Sequence, residues 1–187
     1  MLGVAARSGA VVADRSLAPA TVTEQVAGRR YEVATGGFWQ SHHDAPAVLT
    51  RAVLDALEPR QGELAFDLFC GVGLFAGALV DAGCRVWGVE GDARATRLAR
   101  RNVPGARFQA GDVAATLRRL PAEADLVVLD PPRTGAGKAV MAGIVERAPR
   151  AIAYVACDPA ALARDLATAT RLGYRTDRVR AFDLYGT

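Results

Sequence analysis

An α/β fold built on a doubly wound parallel sheet is the class this chain predicts, and three observations carry that reading. From Leu64 onward, short apolar runs alternate with helical stretches. Those runs are largely uncharged, as strands are when helices cover both faces of a parallel sheet. The chain has 187 residues, 51% of them hydrophobic and 23% charged, which supplies one core of ordinary size and little for a second.

Residues 1–30 are rich in Ala, Val, Ser and Arg with weak periodicity. They read as a loose leader or the remnant of a preceding domain, with 31–187 as the main domain. Tyr31–Val33 reads as a short strand, and Gly36-Gly37 punctuates the chain before the aromatic pair Phe38-Trp39. Asp44 is a candidate N-cap with Pro46 in the first turn of a helix running to about Leu57. Leu49, Val53 and Leu57 recur on one face of that helix, and Pro59 and Gly62 end it. Strands are then expected at Leu64–Phe69, Arg85–Val89, Asp125–Leu129 and Ala151–Ala156, with a weaker one near Arg107–Gln109. Helices are expected at Leu74–Ala82, Ala93–Arg101, Val113–Leu120, Lys138–Arg147 and Ala160–Leu172.

Composition removes several function classes. Lys and Arg together number 23 against 20 Asp and Glu, a net charge of +3, which by itself is slight support for a nucleic-acid partner. Lys138 is the only lysine, so arginine, a good phosphate ligand, carries nearly all the positive charge. Cys70, Cys84 and Cys157 are odd in number and far apart, which argues against a disulfide framework, a four-cysteine zinc site and an iron–sulfur cluster. No apolar run approaches the roughly 20 residues of a membrane span, and no signal-peptide pattern opens the chain. A cytoplasmic location is the expectation.

In a doubly wound sheet, ligands bind outside the carboxyl ends of the strands, where the strand order reverses. The first strand of the sheet runs into Phe69-Cys70-Gly71-Val72-Gly73, a loop whose glycines allow close approach of a ligand. The second ends at Glu90, an acid suited to both hydroxyls of a ribose. Asp112 closes the third and serves either as a helix N-cap or as a contact to adenine. Loop and acid fit a nicotinamide cofactor as well as S-adenosylmethionine. The fourth strand favours the latter, because it ends Asp130-Pro131-Pro132-Arg133, an element that methyltransferases acting on nucleobases use as a pocket wall and dehydrogenases do not need.

The fifth strand ends Ala156-Cys157-Asp158-Pro159, with Asp158 as N-cap and Pro159 as first residue of the next helix. The fourth and fifth strands are expected to be neighbours, so Asp130 and Cys157 share one rim. Cys70 and Cys84 read as core filler. A rim thiol beside a methyl donor suits methylation at carbon. C5 of uracil is a poor nucleophile until a thiolate adds to C6, so covalent catalysis divides a hard step into easier ones.

With those residues in view the chain resembles a known family. Phe38-Trp39-Gln40, Asp67–Gly73, Val89-Glu90, Asp130–Arg133, Cys157-Asp158-Pro159 and Leu162-Ala163-Arg164-Asp165 occur in the order found in the catalytic domain of the RNA uracil-C5 methyltransferases. The resemblance covers roughly residues 25–187. It implies a Rossmann-like class I S-adenosylmethionine-dependent fold and methylation of a uridine in tRNA or rRNA. It also implies a cofactor site lined by Gln40, Phe69, Gly71, Glu90, Asp112 and Asp130, with Cys157 as nucleophile. No metal is implied, and His42-His43 lacks an evident third ligand.

The resemblance carries further expectations. Phe182–Tyr185 matches the end of the sixth strand, while the seventh strand and the Glu that serves as proton-abstracting base fall beyond Thr187. The RNA-binding barrel of relatives falls before the segment present, so a C-terminally incomplete catalytic domain is expected. Two other readings stay open on sequence alone: a methyltransferase for another base or a small molecule, and a non-catalytic remnant that binds S-adenosylmethionine or RNA.

Overall fold

The computed structural model describes residues 4–7, 10–13 and 20–184 of the chain. Strands β1 (Val4–Arg7) and β2 (Ala10–Ala13) pair antiparallel. A second hairpin joins β3 (Thr21–Val26) to β4 (Arg29–Ala34). The expectation of loose chain up to residue 30 is corrected at this hairpin. Ala27 and Gly28 both take positive φ, 50° and 84°, the geometry of a two-residue turn that matches strand twist. The hairpin is fastened to the rest of the domain. Arg29 pairs with Asp81 and donates to the carbonyl of Asn102, Tyr31 Oη donates to the carbonyl of Leu74, and Asn102 Nδ2 donates to the carbonyl of Glu32.

The main sheet has the order β7-β6-β5-β8-β9 and is parallel throughout. Its strands are β5 (Leu64–Leu68), β6 (Arg85–Glu90), β7 (Arg107–Ala110), β8 (Leu126–Leu129) and β9 (Ala151–Tyr154). The helices are α1 (Ala45–Leu57), α2 (Leu74–Asp81), α3 (Ala93–Asn102), α4 (Val113–Leu117), α5 (Gly137–Val145) and α6 (Pro159–Arg171). Every expected strand and helix between Asp44 and Leu172 is found, with ends displaced by a few residues. Asp44 stands at the N-cap of α1 but makes no side-chain capping bond there.

Strand alternation divides the core in two. Ala65, Val86, Leu126 and Val128 face α1, α2, α3 and the β3–β4 hairpin. Phe66, Leu68, Val89, Val127 and Leu129 face α4, α5 and α6. The strand order reverses between β5 and β8, so the cleft outside their carboxyl ends is where a ligand belongs.

The sixth strand expected at Phe182–Tyr185 is corrected. Residues 175–184 form no strand, and Tyr185 lies outside the described residues. A strand exists only through ladder pairing with a neighbour, and in the described residues this segment pairs with none. A side chain ties it to α1 instead, Arg180 lying 3.5 Å from Asp55, while within the segment the same guanidinium sits 5.1 Å from the Phe182 ring centroid. Among the described residues no helix is long and apolar enough to cross a membrane.

Candidate active site

A cleft of about 1200 Å³ opens at the carboxyl end of the sheet. Gln40, Phe69, Gly71, Glu90, Asp112, Asp130 and Cys157, all singled out by the sequence, line it. They come from six different segments, five of them loops and one the end of β6, and the topology brings them together.

The loop after β5 is tightly made. Phe69 has φ 60°, a left-handed conformation that costs a non-glycine residue about 1–2 kcal/mol. Gly73 continues at φ 92°, and a Cβ there would stand 3.2 Å from Cγ2 of Val103. Strain placed at the end of the central strand is a common mark of a ligand site. Under this loop lies Asp67, fully buried, whose Oδ2 accepts from the Ala76 amide at 2.7 Å. Its Oδ1 has no hydrogen-bond partner among the described residues, and burial holds the carboxyl far above the usual carboxylate range.

Glu90 staples two loops. Its Oε2 accepts from the Gly71 amide and its Oε1 from the Asp92 amide, both at 2.8 Å. Each carboxylate oxygen has a second lone pair, so the group retains capacity for two hydroxyls of a ligand. Asp112 caps α4 through Oδ1, which accepts from the Ala115 amide at 2.8 Å. That cap does not use its other oxygen.

On the opposite side, Gln40 Nε2 donates to Asp130 Oδ2 at 2.9 Å. Trp39, packed at a tilt against Tyr31 with ring centroids 5.8 Å apart, fixes the segment that carries Gln40. Burial pushes the Asp130 carboxyl up to about 6, and the Gln40 hydrogen bond partly opposes this. Residues Leu129 and Tyr154 are register partners, and the Val155 amide donates to the carbonyl of Leu129 at 2.9 Å. Asp130 and Cys157 therefore leave adjacent parallel strands on one rim. Cys157 is exposed, whereas Cys70 and Cys84 are buried. Asp158 caps α6 directly after it, its Oδ1 accepting from the Ala161 amide at 2.7 Å.

Sequence reasoning missed Tyr154 and the role of Asp165. Asp165 is 5% exposed and receives Tyr154 Oη at 2.8 Å together with the amides of Ala136 and Gly137. It also missed the cleft wall formed by Arg178–Phe182. His42 Nδ1 accepts from the Asp44 amide at 3.1 Å, and among the described residues no group of three or more His, Cys, Asp or Glu is arranged to hold a metal ion.

The strand order and the position of the cleft define a class: a doubly wound, Rossmann-like α/β domain of the methyltransferase type. Residues 34–155 match the family described as methyltransferase small domain, and the chain belongs to that family. It is 50% identical over 173 residues to a protein of Streptomyces avermitilis named an uncharacterized RNA methyltransferase, covering 89% of this chain and 40% of that protein. A Streptomyces coelicolor protein with the same description is 48% identical over 171 residues, covering 88% of this chain and 37% of that protein. The chain thus spans about two fifths of the length of these curated relatives. Among solved structures, it superposes with a TM-score of 0.68 and 28% identity on the Pyrococcus abyssi tRNA (uracil-54, C5)-methyltransferase in complex with S-adenosyl-L-homocysteine. That match covers 80% of this chain and 38% of the other.

Proposed function

We propose that this chain is the S-adenosylmethionine-binding, catalytic part of an RNA methyltransferase that methylates C5 of a uridine through a covalent adduct with Cys157. One observation carries the reading. The exposed thiol of Cys157 and the Gln40-bound carboxylate of Asp130 stand on neighbouring strand ends of a single cleft. Methylation of an exocyclic amine has no use for that thiol. The names of the Streptomyces relatives and of the Pyrococcus structure support an RNA substrate, and the latter supports uracil C5 and the cofactor.

The residues present fit the cofactor. The glycine loop leaves open space at Gly71, where an added Cβ would meet no atom within 4 Å. Glu90 retains acceptor capacity for a ribose, Asp112 for an adenine amine, and Phe69 with Asp130 and Gln40 completes the lining. S-adenosylmethionine supplies an electrophilic methyl group when bound there. Asp130, held in place by Gln40, would supply negative charge to the cleft wall for that cationic donor.

Cys157, exposed to solvent, gives up its thiol proton to water; its thiolate Sγ forms a bond to C6 of the uracil, and the C5–C6 π electrons become an enolate with density at C5. C5 takes the methyl group as the donor's S–CH3 bond breaks, its electron pair remaining on the sulfur of S-adenosylhomocysteine, and the C5 proton must then pass to a base. The C5–C6 double bond then re-forms and the thiolate leaves with the electron pair of the C6–S bond. The target base has to leave its stack to reach the cleft.

A tRNA or rRNA transcript carrying 5-fluorouridine tests the reading, because fluorine cannot depart as a proton. The expected result is a covalent protein–RNA complex that requires S-adenosylmethionine and disappears in Cys157→Ala. An adduct that survives in Cys157→Ala refutes the nucleophile. Calorimetry with S-adenosylhomocysteine tests the other half: Glu90→Ala should weaken binding at least tenfold, and unchanged affinity refutes the ribose contact.

A further inference from the structure

A buried carboxylate outside the cofactor lining connects the two loops on which that reaction depends. Asp165 lies about two turns into α6, the helix that starts immediately after Cys157. Its Oδ2 accepts from the Ala136 amide at 2.7 Å, from Tyr154 Oη at 2.8 Å and from the Gly137 amide at 3.2 Å. Its Oδ1 accepts from the Gly137 amide at 3.2 Å. Three donors from two separate segments thus converge on one side chain.

Those segments are specific. Ala136 and Gly137 end the loop that begins at Asp130-Pro131-Pro132, and this loop is short and turned on itself, the Gly135 amide donating to the carbonyl of Pro132 at 2.8 Å. Tyr154 ends β9, three residues before Cys157, and its hydroxyl also accepts from the Ala136 amide at 3.2 Å. Gly135 has φ 87°, and a Cβ there would stand 2.7 Å from Asp165 Oδ2, so the loop backbone passes directly over the carboxylate. A solvated acid on a helix needs none of this. The arrangement is a clamp between the Asp130 loop and the turn that presents Cys157.

We infer that Asp165 is a positioning residue for the carbon-methylation step. By binding the Asp130-Pro131-Pro132 loop and Tyr154 at once, it keeps the donor-side carboxylate and the Cys157 thiol at a fixed separation. The inference rests on the reading of Cys157 as nucleophile. It acts through distance: reacting groups must hold a near-attack geometry, and displacements on the order of 1 Å cost about a hundredfold in rate. Most of the cofactor lining has a different support, because Glu90 and Asp112 hang on β6, β7 and α4, which hold none of these hydrogen-bond partners of Asp165, and the Asp130 carboxylate is itself tied to Gln40.

The test compares the whole chain with Asp165→Ala, Asp165→Asn and Tyr154→Phe in three measurements. They are the rate of covalent trapping on 5-fluorouridine RNA at saturating RNA, the affinity for S-adenosylhomocysteine, and hydrogen exchange of the peptides spanning 130–137 and 153–158. Asp165→Ala should slow trapping about tenfold or more while S-adenosylhomocysteine affinity stays within about twofold, a split that general loss of folding does not produce. Asp165→Asn keeps an acceptor at the position of Oδ2 and should recover most of the rate. Tyr154→Phe, which removes one donor of three, should fall between.

Exchange should rise in both peptides of Asp165→Ala together and stay unchanged at 68–73. Trapping at the parent rate in folded Asp165→Ala overturns the inference, as does a parallel loss of cofactor affinity. If the parent chain forms no adduct at all, it is the nucleophile reading that fails. The clamp itself is then decided by exchange, and an increase confined to 130–137 refutes it.

Discussion

Asp130 offers the sharpest physical test of the cleft. Burial raises its carboxyl from 3.8 to about 6 in the folded protein. The folded state therefore holds a proton between these values that the unfolded chain has released. Stability must fall as pH rises through that window, and the penalty is complete above about pH 6. A shift of roughly two units at about 1.4 kcal/mol each sets an upper bound of about 3 kcal/mol. Asp130→Asn removes the ionisation but keeps an acceptor for Gln40 Nε2. Asp67 adds in the same direction, since its carboxyl is raised chiefly by burial and further by the charge of Asp130.

The variant should match the parent near pH 4 and exceed it by about 1–3 kcal/mol near pH 7.5. Urea titrations at several pH values, followed by the fluorescence of Trp39 and Trp87, measure this directly, and the difference cancels every shared group that does not interact with Asp130, Asp67 being the exception. A pH-independent difference refutes the burial argument, and so does a variant less stable than the parent at pH 7.5. The same substitution should abolish trapping on 5-fluorouridine RNA, since the charge that costs stability is the one proposed to attract the cationic donor.

Two further outcomes test the scaffold. Glu63 is held down to about 2 chiefly by its hydrogen bonds to Arg150, whose Nε lies 2.6 Å from Oε1 and Nη2 2.8 Å from Oε2. That pair's stabilisation is full above the ordinary value of 4.5 and is lost as pH falls towards about 2. Glu63→Gln should cost about 1 kcal/mol at pH 7 and nothing at the bottom of that window, as urea titration checks. Gly73→Ala should cost about 1–2 kcal/mol, because Ala is strained at φ 92° and its Cβ crowds Val103. A melting temperature equal to the parent's would contradict that geometry.

Uncharged strands and the capping residues Asp112 and Asp158 made the sheet and its helices readable in advance, since both acids do cap their helices, whereas Asp44 caps α1 with no side-chain bond. The β3–β4 hairpin was not readable, because its turn uses Ala27 where Asn or Asp would have signalled positive φ at that place. Docking by Arg29 and Tyr31, both distant in sequence from their partners, compensates for the poor turn residue. Phe182–Tyr185 misled in the opposite way: its match to the end of a family strand rested on residue types, and a strand needs a ladder, which residues 182–184 do not join among the described residues. Asp165 was in plain view as an acid on a helix. Its burial depends on a loop that approaches from residues 135–137, which helical periodicity does not report.

Cofactor residues were readable for a related reason. Glu90 and the glycine loop are each informative where they stand, at strand ends separated by one helix. Cys157 is not informative locally; it gains meaning only from β8 and β9 lying side by side. The cleft accordingly divides into two parts with separate supports. Glu90 knits the loops after β5 and β6 into a donor-side wall through backbone amides. Gln40 and Asp165 hold the loops after β8 and β9 through side chains drawn from elsewhere in the chain. Substitutions at Glu90 should therefore change affinity for the cofactor and those at Asp165 the rate at which bound partners react, while Gln40 and Asp130, which border both parts, should change both. A variant at Glu90 that slows trapping at saturating cofactor without changing affinity would show that this division is wrong.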